Sequence, residues 1–149
     1  MTGGTVSPLE LLDTCILIYA YDQDEGAKHE TALELLKTLM LENRLVLSVQ
    51  VLNEFYRAAT KTSRTNPFPH ERVHEILSHL AASCPVFPLT PAATFRALDV
   101  MQQNSLAFWD ALIWAVAAEN GVSVVYTEDF QHGRVIDGVR FCNPFEGSP

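Results

Sequence analysis

The chain has 149 residues, enough for one domain that buries roughly 68–70% of its unfolded surface, and 48% apolar with 19% charged residues exclude a disordered or fibrous protein. A formal charge of −8, with lysine only at Lys28, Lys37 and Lys61, excludes nucleic-acid binding by general electrostatics, so chemistry on phosphate would need a divalent cation to bring positive charge. No apolar run reaches the roughly 18–20 residues of a membrane span, MTGGTVSPLE has no features of a secretion signal, and Cys15, Cys84 and Cys142 fit neither a disulfide framework nor a zinc knuckle, which predicts a cytoplasmic protein with free thiols and no membrane contact.

In chain order, residues 1–7 read as a flexible N-terminal extension of a single unit spanning 1–149. PLELLD is a buried strand, and TCILIYAYD is a helix that Asp13 or Thr14 can cap. EGAKHETALELLKTLMLEN places apolar residues at 32, 35, 36, 39 and 40, an amphipathic helix. RLVLS is a second strand, and Ser48 is a natural cap for the helix VQVLNEFYRAATK. NPFP breaks the chain before HERVHEILSHLAA, whose Val73, Ile76, Leu77, Leu80 and Ala81 form one apolar stripe. PVFPL is a short extended piece weakened by its prolines, and TPAATFRALDVMQQN is a helix with Pro91 in its first turn. AFWDALIWAVAAEN is an apolar helix stopped by Asn120-Gly121, VSVVYT a strand, EDFQHG a loop, and GVRFCNPF a last, edge-type strand. Strands alternating with helices predict a mostly parallel sheet with helices on both faces, and ligands in such sheets bind outside the carboxyl ends of the strands.

Asp110 is the sole charged residue between Ala107 and Ala118. A buried ionised carboxylate costs several kcal/mol unless it is paired or takes a proton. Arg96 is one partner to consider. Asp13 directly follows the first strand, Asp129 sits two residues past the strand VSVVYT, and Glu54 lies two turns into the helix that Ser48 opens. Taken singly, Asp13 reads as a helix cap, Glu54 as a solvated helix glutamate and Asp129 as a loop acid. Together they fall at one sheet edge, where acids repel: two unit charges about 4 Å apart cost about 1 kcal/mol in water and about 4 at an effective dielectric near 20. A cluster of carboxylates around an open site suits Mg²⁺ or Mn²⁺.

At these residues the chain resembles a known family. DTCILIYAYD, SVQVLNEFY, FWDALIWAVA and YTEDFQHGRVIDGVRFCNPF look like the successive motifs of PIN-domain ribonucleases, and most resemble the VapC toxins of bacterial toxin–antitoxin modules, from about Leu9 to Phe145. The resemblance implies an α/β, PIN-like three-layer sandwich and an Mg²⁺- or Mn²⁺-dependent endoribonuclease. It assigns the catalytic acids to Asp13, Glu54, Asp110 and Asp129, with Asp13, Asp110 and Asp129, and Glu54 as a further option, on the metal. It gives Thr14 and Thr127 supporting roles. It also implies a homodimer, an RNA substrate and a cognate antitoxin that covers the active site. Arg57 and Arg134 are candidates to attract RNA, and Glu128 is an extra acid without an assigned role.

Two rivals remain in view. His70-Glu71-Arg72-Val73-His74 satisfies H-E-x-x-H, the zinc-peptidase signature, but Arg72 puts a cation beside that site, and Leu77 and Leu80 replace the glycine and third histidine of the metzincin extension. The other rival is a PIN fold that binds RNA or a partner without cutting it. Receiver-type and D-x-D phosphatase readings fail because Asp13 is followed by Thr14 and Cys15, and no lysine follows residue 61; no nucleotide-binding P-loop is present.

Overall fold

The structure, a computed structural model, describes residues 8–146, so the expected extension at 1–7 lies outside the described residues. The chain alternates as the sequence predicts. Strand β1 (Leu9–Leu12) leads into α1 (Thr14–Tyr21), a 3-10 turn (Gln23–Glu25) and α2 (Ala27–Leu41); β2 (Leu45–Ser48) leads into α3 (Val49–Ala59) and α4 (His70–Ser83). The short β3 (Val86–Phe87) precedes α5 (Pro91–Asn104) and α6 (Phe108–Glu119), and β4 (Val122–Tyr126), β5 (Val135–Ile136) and β6 (Val139–Cys142) complete the chain. Among the described residues no helix is long and apolar enough to cross a membrane.

The strands form one six-stranded sheet in the order β3-β2-β1-β4-β6-β5, parallel except for the β5–β6 pair. Helix α1 packs on α2 and α3, while α5 packs on α6 and α6 on β4 and β6, giving a three-layer α/β sandwich. The core gathers Leu11, Leu12, Val46, Leu47, Phe55, Leu80, Trp114 and Phe141, all nearly inaccessible. Residues Ala111 to Ala117 of α6 are buried without interruption, which explains why this helix has no polar face in the sequence. The Trp114 indole inside it donates to the Ile136 carbonyl at 3.0 Å, so the buried ring keeps a partner and ties α6 to the far side of the sheet.

One expectation is corrected. The last strand, β6, is interior: it pairs with β4 on one side and β5 on the other. The reversal between β5 and β6 is made by Asp137 and Gly138, at φ 45° and 81°, the left-handed pair that tight two-residue hairpins require. The Asp-Gly dipeptide therefore adds an edge strand, Val135–Ile136, between the expected loop EDFQHG and the last strand.

From β1 the chain runs outward through β2 to β3, and it returns on the other side of β1 with β4. This reversal opens the crevice at the carboxyl ends of β1 and β4. The two strands are registered there with Leu12 opposite Tyr126, and the ladder continues as the Asp13 amide donates to the Tyr126 carbonyl at 2.9 Å. They are also tied from within. Glu10, 4% exposed in β1, accepts from the Tyr126 hydroxyl at 2.5 Å and pairs with Arg44, which also meets Glu42 at 2.9 Å. A charge buried this deeply persists because it is paired. Arg44→Ala should lower stability by about 3 kcal/mol by stranding the Glu10 charge. Adding Glu10→Gln should recover part of that loss, since the two effects share one pair. Urea denaturation of the single and double variants measures both.

Candidate active site

Asp13 closes β1 and caps α1. One carboxylate oxygen accepts from the Thr14 amide at 2.7 Å, and the other accepts from the Thr127 hydroxyl at 2.9 Å. Thr127 is buried directly after β4, and its hydroxyl oxygen also accepts from the Asp129 amide at 3.2 Å. Thr14, the first residue of α1, donates its hydroxyl to Glu54 at 3.3 Å. Glu54 rides on α3, whose start is fixed by the Ser48 hydroxyl accepting from the Val51 amide at 3.2 Å. The other Glu54 oxygen accepts from the Gln50 side-chain amide at 3.0 Å, and the same amide group donates to the Trp109 carbonyl at 3.4 Å, next to Asp110 in the first turn of α6. A single hydrogen-bonded chain thus connects the elements carrying all four predicted acids.

The electrostatics follow from that convergence. The Asp13 carboxyl is pushed up to about 6, chiefly by burial; the Thr14 and Thr127 hydrogen bonds oppose the rise, and the charges of Glu54 and Asp110 add to it. Asp110 is also raised, by burial first and then by Asp129 and Glu54. Asp110 is half-buried and does not pair with Arg96, whose guanidinium lies 5.2 Å from the Trp114 ring centre. The core ion pair considered for this acid is therefore absent among the described residues.

Ligand atoms of Asp13, Asp129 and Cys15 all lie within 4.8 Å of one another. Cys15 is the neighbour that sequence reasoning missed, although its place two residues after the first acid was visible. Its thiol is pushed up to about 12, by burial and then by the Asp13 charge, so it stays protonated and is a poor partner for a hard cation. The usable donors are oxygens, and the Asp13 and Asp110 carboxyls are raised by burial first and then by the acids around them. That donor set fits Mg²⁺ or Mn²⁺.

Other candidates take different places. Glu128 turns to α1 and α2, where it accepts from the Tyr19 hydroxyl at 2.6 Å and pairs with Lys28. Burial pushes its carboxyl up, but Lys28 and Tyr19 more than offset this and hold it below its ordinary value. Arg134 donates to the Asn104 carbonyl at 2.8 Å, a structural role, whereas Arg57 is exposed beside Glu54. In the HERVH segment both histidines are exposed, the His70 Nδ1 lies 3.1 Å from the Tyr56 hydroxyl, and among the described residues no third metal-ligating side chain joins them.

The chain's sequence matches the family described as PIN domain over residues 11–137. No curated protein matches it in sequence. Among solved structures it is similar to a toxin–antitoxin complex from Klebsiella pneumoniae, at 22% identity and TM-score 0.66, covering 92% of this chain and 98% of the other. The Mycobacterium tuberculosis sarcin–ricin-loop-cleaving toxin VapC20 matches at 19% identity and TM-score 0.62, over 80% and 89% of the two chains. DNA-bound VapBC from Salmonella typhimurium matches at 20% identity and TM-score 0.62, over 90% and 96%. At these identities the likeness is one of fold.

Because the folded Asp13 binds its proton more tightly than the ordinary carboxyl near about 4, its contribution to stability is complete below that value and is lost as pH rises through about 6. In EDTA, wild type should therefore lose stability across this window relative to Asp13→Asn, which keeps a helix-capping side chain but carries no charge. Melting temperatures of the two proteins through that pH range test it. Parallel curves would mean that Asp13 ionises as freely in the folded chain as in the unfolded one.

Proposed function

The chain belongs to the PIN-domain family, and from that premise we propose that it is a metal-dependent endoribonuclease, the VapC-type toxin of a toxin–antitoxin module. One observation carries the reading: Asp13, Glu54, Asp110 and Asp129 are brought to the β1–β4 crevice on elements joined by one hydrogen-bond chain, with the Asp13 and Asp110 carboxyls raised chiefly by burial and further by the neighbouring acids.

In this reading Asp13, Asp110 and Asp129 hold Mg²⁺ or Mn²⁺, and Glu54 completes the set as a further ligand or as the group that orients the attacking water. The ion, when bound, supplies positive charge against the phosphate oxygens and lowers the pKa of water. Thr127 holds Asp13 and the Asp129 backbone in register, and Thr14 spans Asp13 and Glu54, so the acids are fixed before RNA arrives. With a net charge of −8 the chain has little general attraction for RNA, and local features must place the substrate.

The solved relatives that are toxin–antitoxin complexes support a cognate antitoxin as partner. A homodimer, a cytoplasmic location and a single unit spanning 1–149 complete the proposal. In the test, purified wild type cuts cellular RNA at discrete positions with Mn²⁺ or Mg²⁺ and stops in EDTA. Asp110→Asn folds but loses activity by about 100-fold or more, because losing even an outer-shell partner of a metal costs about 10–100-fold. Metal-loaded wild type that leaves a broad RNA pool intact would favour the non-cutting PIN module.

A further inference from the structure

Beside the acid cluster lies a cleft of about 530 Å³ lined by Gln50, Asn53, Glu54, Arg57, Leu89 and Trp109. Its volume falls in the roughly 300–1,000 Å³ range of small-ligand sites. We propose that this cleft is a base-binding subsite, in which one base of a single-stranded RNA stacks on Trp109 next to the phosphate to be cut. The proposal rests on the ribonuclease reading above.

Four features point to a base. The first is Trp109 itself, 61% exposed in the first turn of a helix whose residues Ala111 to Ala117 are all buried. Its neighbour Phe108 packs edge-on, with ring centres 5.1 Å apart, and supports the indole from one side. Aromatic plates of this kind bind unpaired bases through their faces.

The second is continuity with the acids. Glu54 is both a wall of the cleft and a member of the acid cluster, and Trp109 precedes Asp110. A base seated here has its own phosphate within reach of the carboxylates. The third is the polar lining. Gln50 is only 7% exposed; its amide nitrogen is committed to Glu54 and the Trp109 carbonyl, and its side-chain oxygen has no partner among the described residues. Asn53 adds an exposed amide. An apolar peptide side chain would leave these groups unpaired, whereas the edge of a base carries donors and acceptors.

The last is charge. Arg57, in the last turn of α3, is exposed and belongs to none of the ion pairs among the described residues. In a chain of net charge −8 it is a cation placed at the rim of the cleft, suited to the next phosphate.

The test compares wild type, Trp109→Ala and Trp109→Phe on a single-stranded RNA that wild type cleaves. Trp109→Ala should raise KM by roughly tenfold, the scale of one lost stack, change kcat little, and spread cleavage over more positions. Trp109→Phe, which keeps a plate, should restore most of both. The same RNA, added in EDTA so that it is not cut, should quench tryptophan fluorescence in wild type but not in Trp109→Phe, where only the buried Trp114 remains. Wild-type KM and cleavage positions in Trp109→Ala, with an unchanged Mn²⁺-induced shift in melting temperature, would overturn the subsite and leave the nuclease standing. Failure of wild type to cut any RNA would instead remove the ribonuclease reading on which the subsite depends.

Discussion

Like charges that water would keep apart are forced together where β1 and β4 end, and much of this structure serves to hold them there. The sheet order sets the constraint: the chain leaves β1 in one direction and returns as β4 on its other side, so the residues directly after both strands share one crevice. Asp13 and Thr127 meet in it at 2.9 Å. The buried Glu10, held by Arg44 and Tyr126, ties the same two strands one turn of the pleat earlier. Burial raises the Asp13 and Asp110 carboxyls and the neighbouring acids raise them further, and this is the reason a divalent cation belongs to the account.

The chain spends its positive charge in a way that sharpens this contrast. Arg44 neutralises Glu10, Arg64 pairs with Asp22, and Lys28 holds Glu128 away from the cluster. Arg134 and Arg96 are turned to a backbone carbonyl and an aromatic ring. None of these cations faces the four acids, so the crevice keeps its negative potential, and Arg57 stands at its margin. Glu128 shows how selective the arrangement is. It is adjacent in sequence to Asp129, yet it anchors the loop to α1 and α2 through Tyr19 and Lys28.

What the sequence made legible and what it hid divide along physical lines. Asp110 stood out because a lone charge in an apolar helix is costly, and Asp13, Glu54 and Asp129 followed from the rule that places ligands at the carboxyl ends of parallel strands. Capping by Ser48 and Asp13 was readable because it acts over three residues or fewer. The pairings that span the chain were not: Glu128 finds Lys28 a hundred residues away, Glu10 finds Arg44, and Arg96 finds Trp114 rather than Asp110. No periodicity encodes such partners. The interior place of β6 was lost for another reason. β5 is two residues long, too short for an alternating pattern, and only the Asp137-Gly138 turn announced it. The thiol of Cys15 was overlooked because its spacing from Asp13 matched no known ligand motif, although folding sets it against Asp13 and Asp129.

The central claim is that this gathering of carboxylates is a cation site. Its most direct test is an anomalous difference map from crystals of the protein grown with Mn²⁺. The account predicts a peak in coordination contact with the Asp13 and Asp129 carboxylates, absent in crystals of Asp13→Asn. A map with Mn²⁺ bound elsewhere, at the HERVH histidines for instance, and nothing at Asp13 would contradict it.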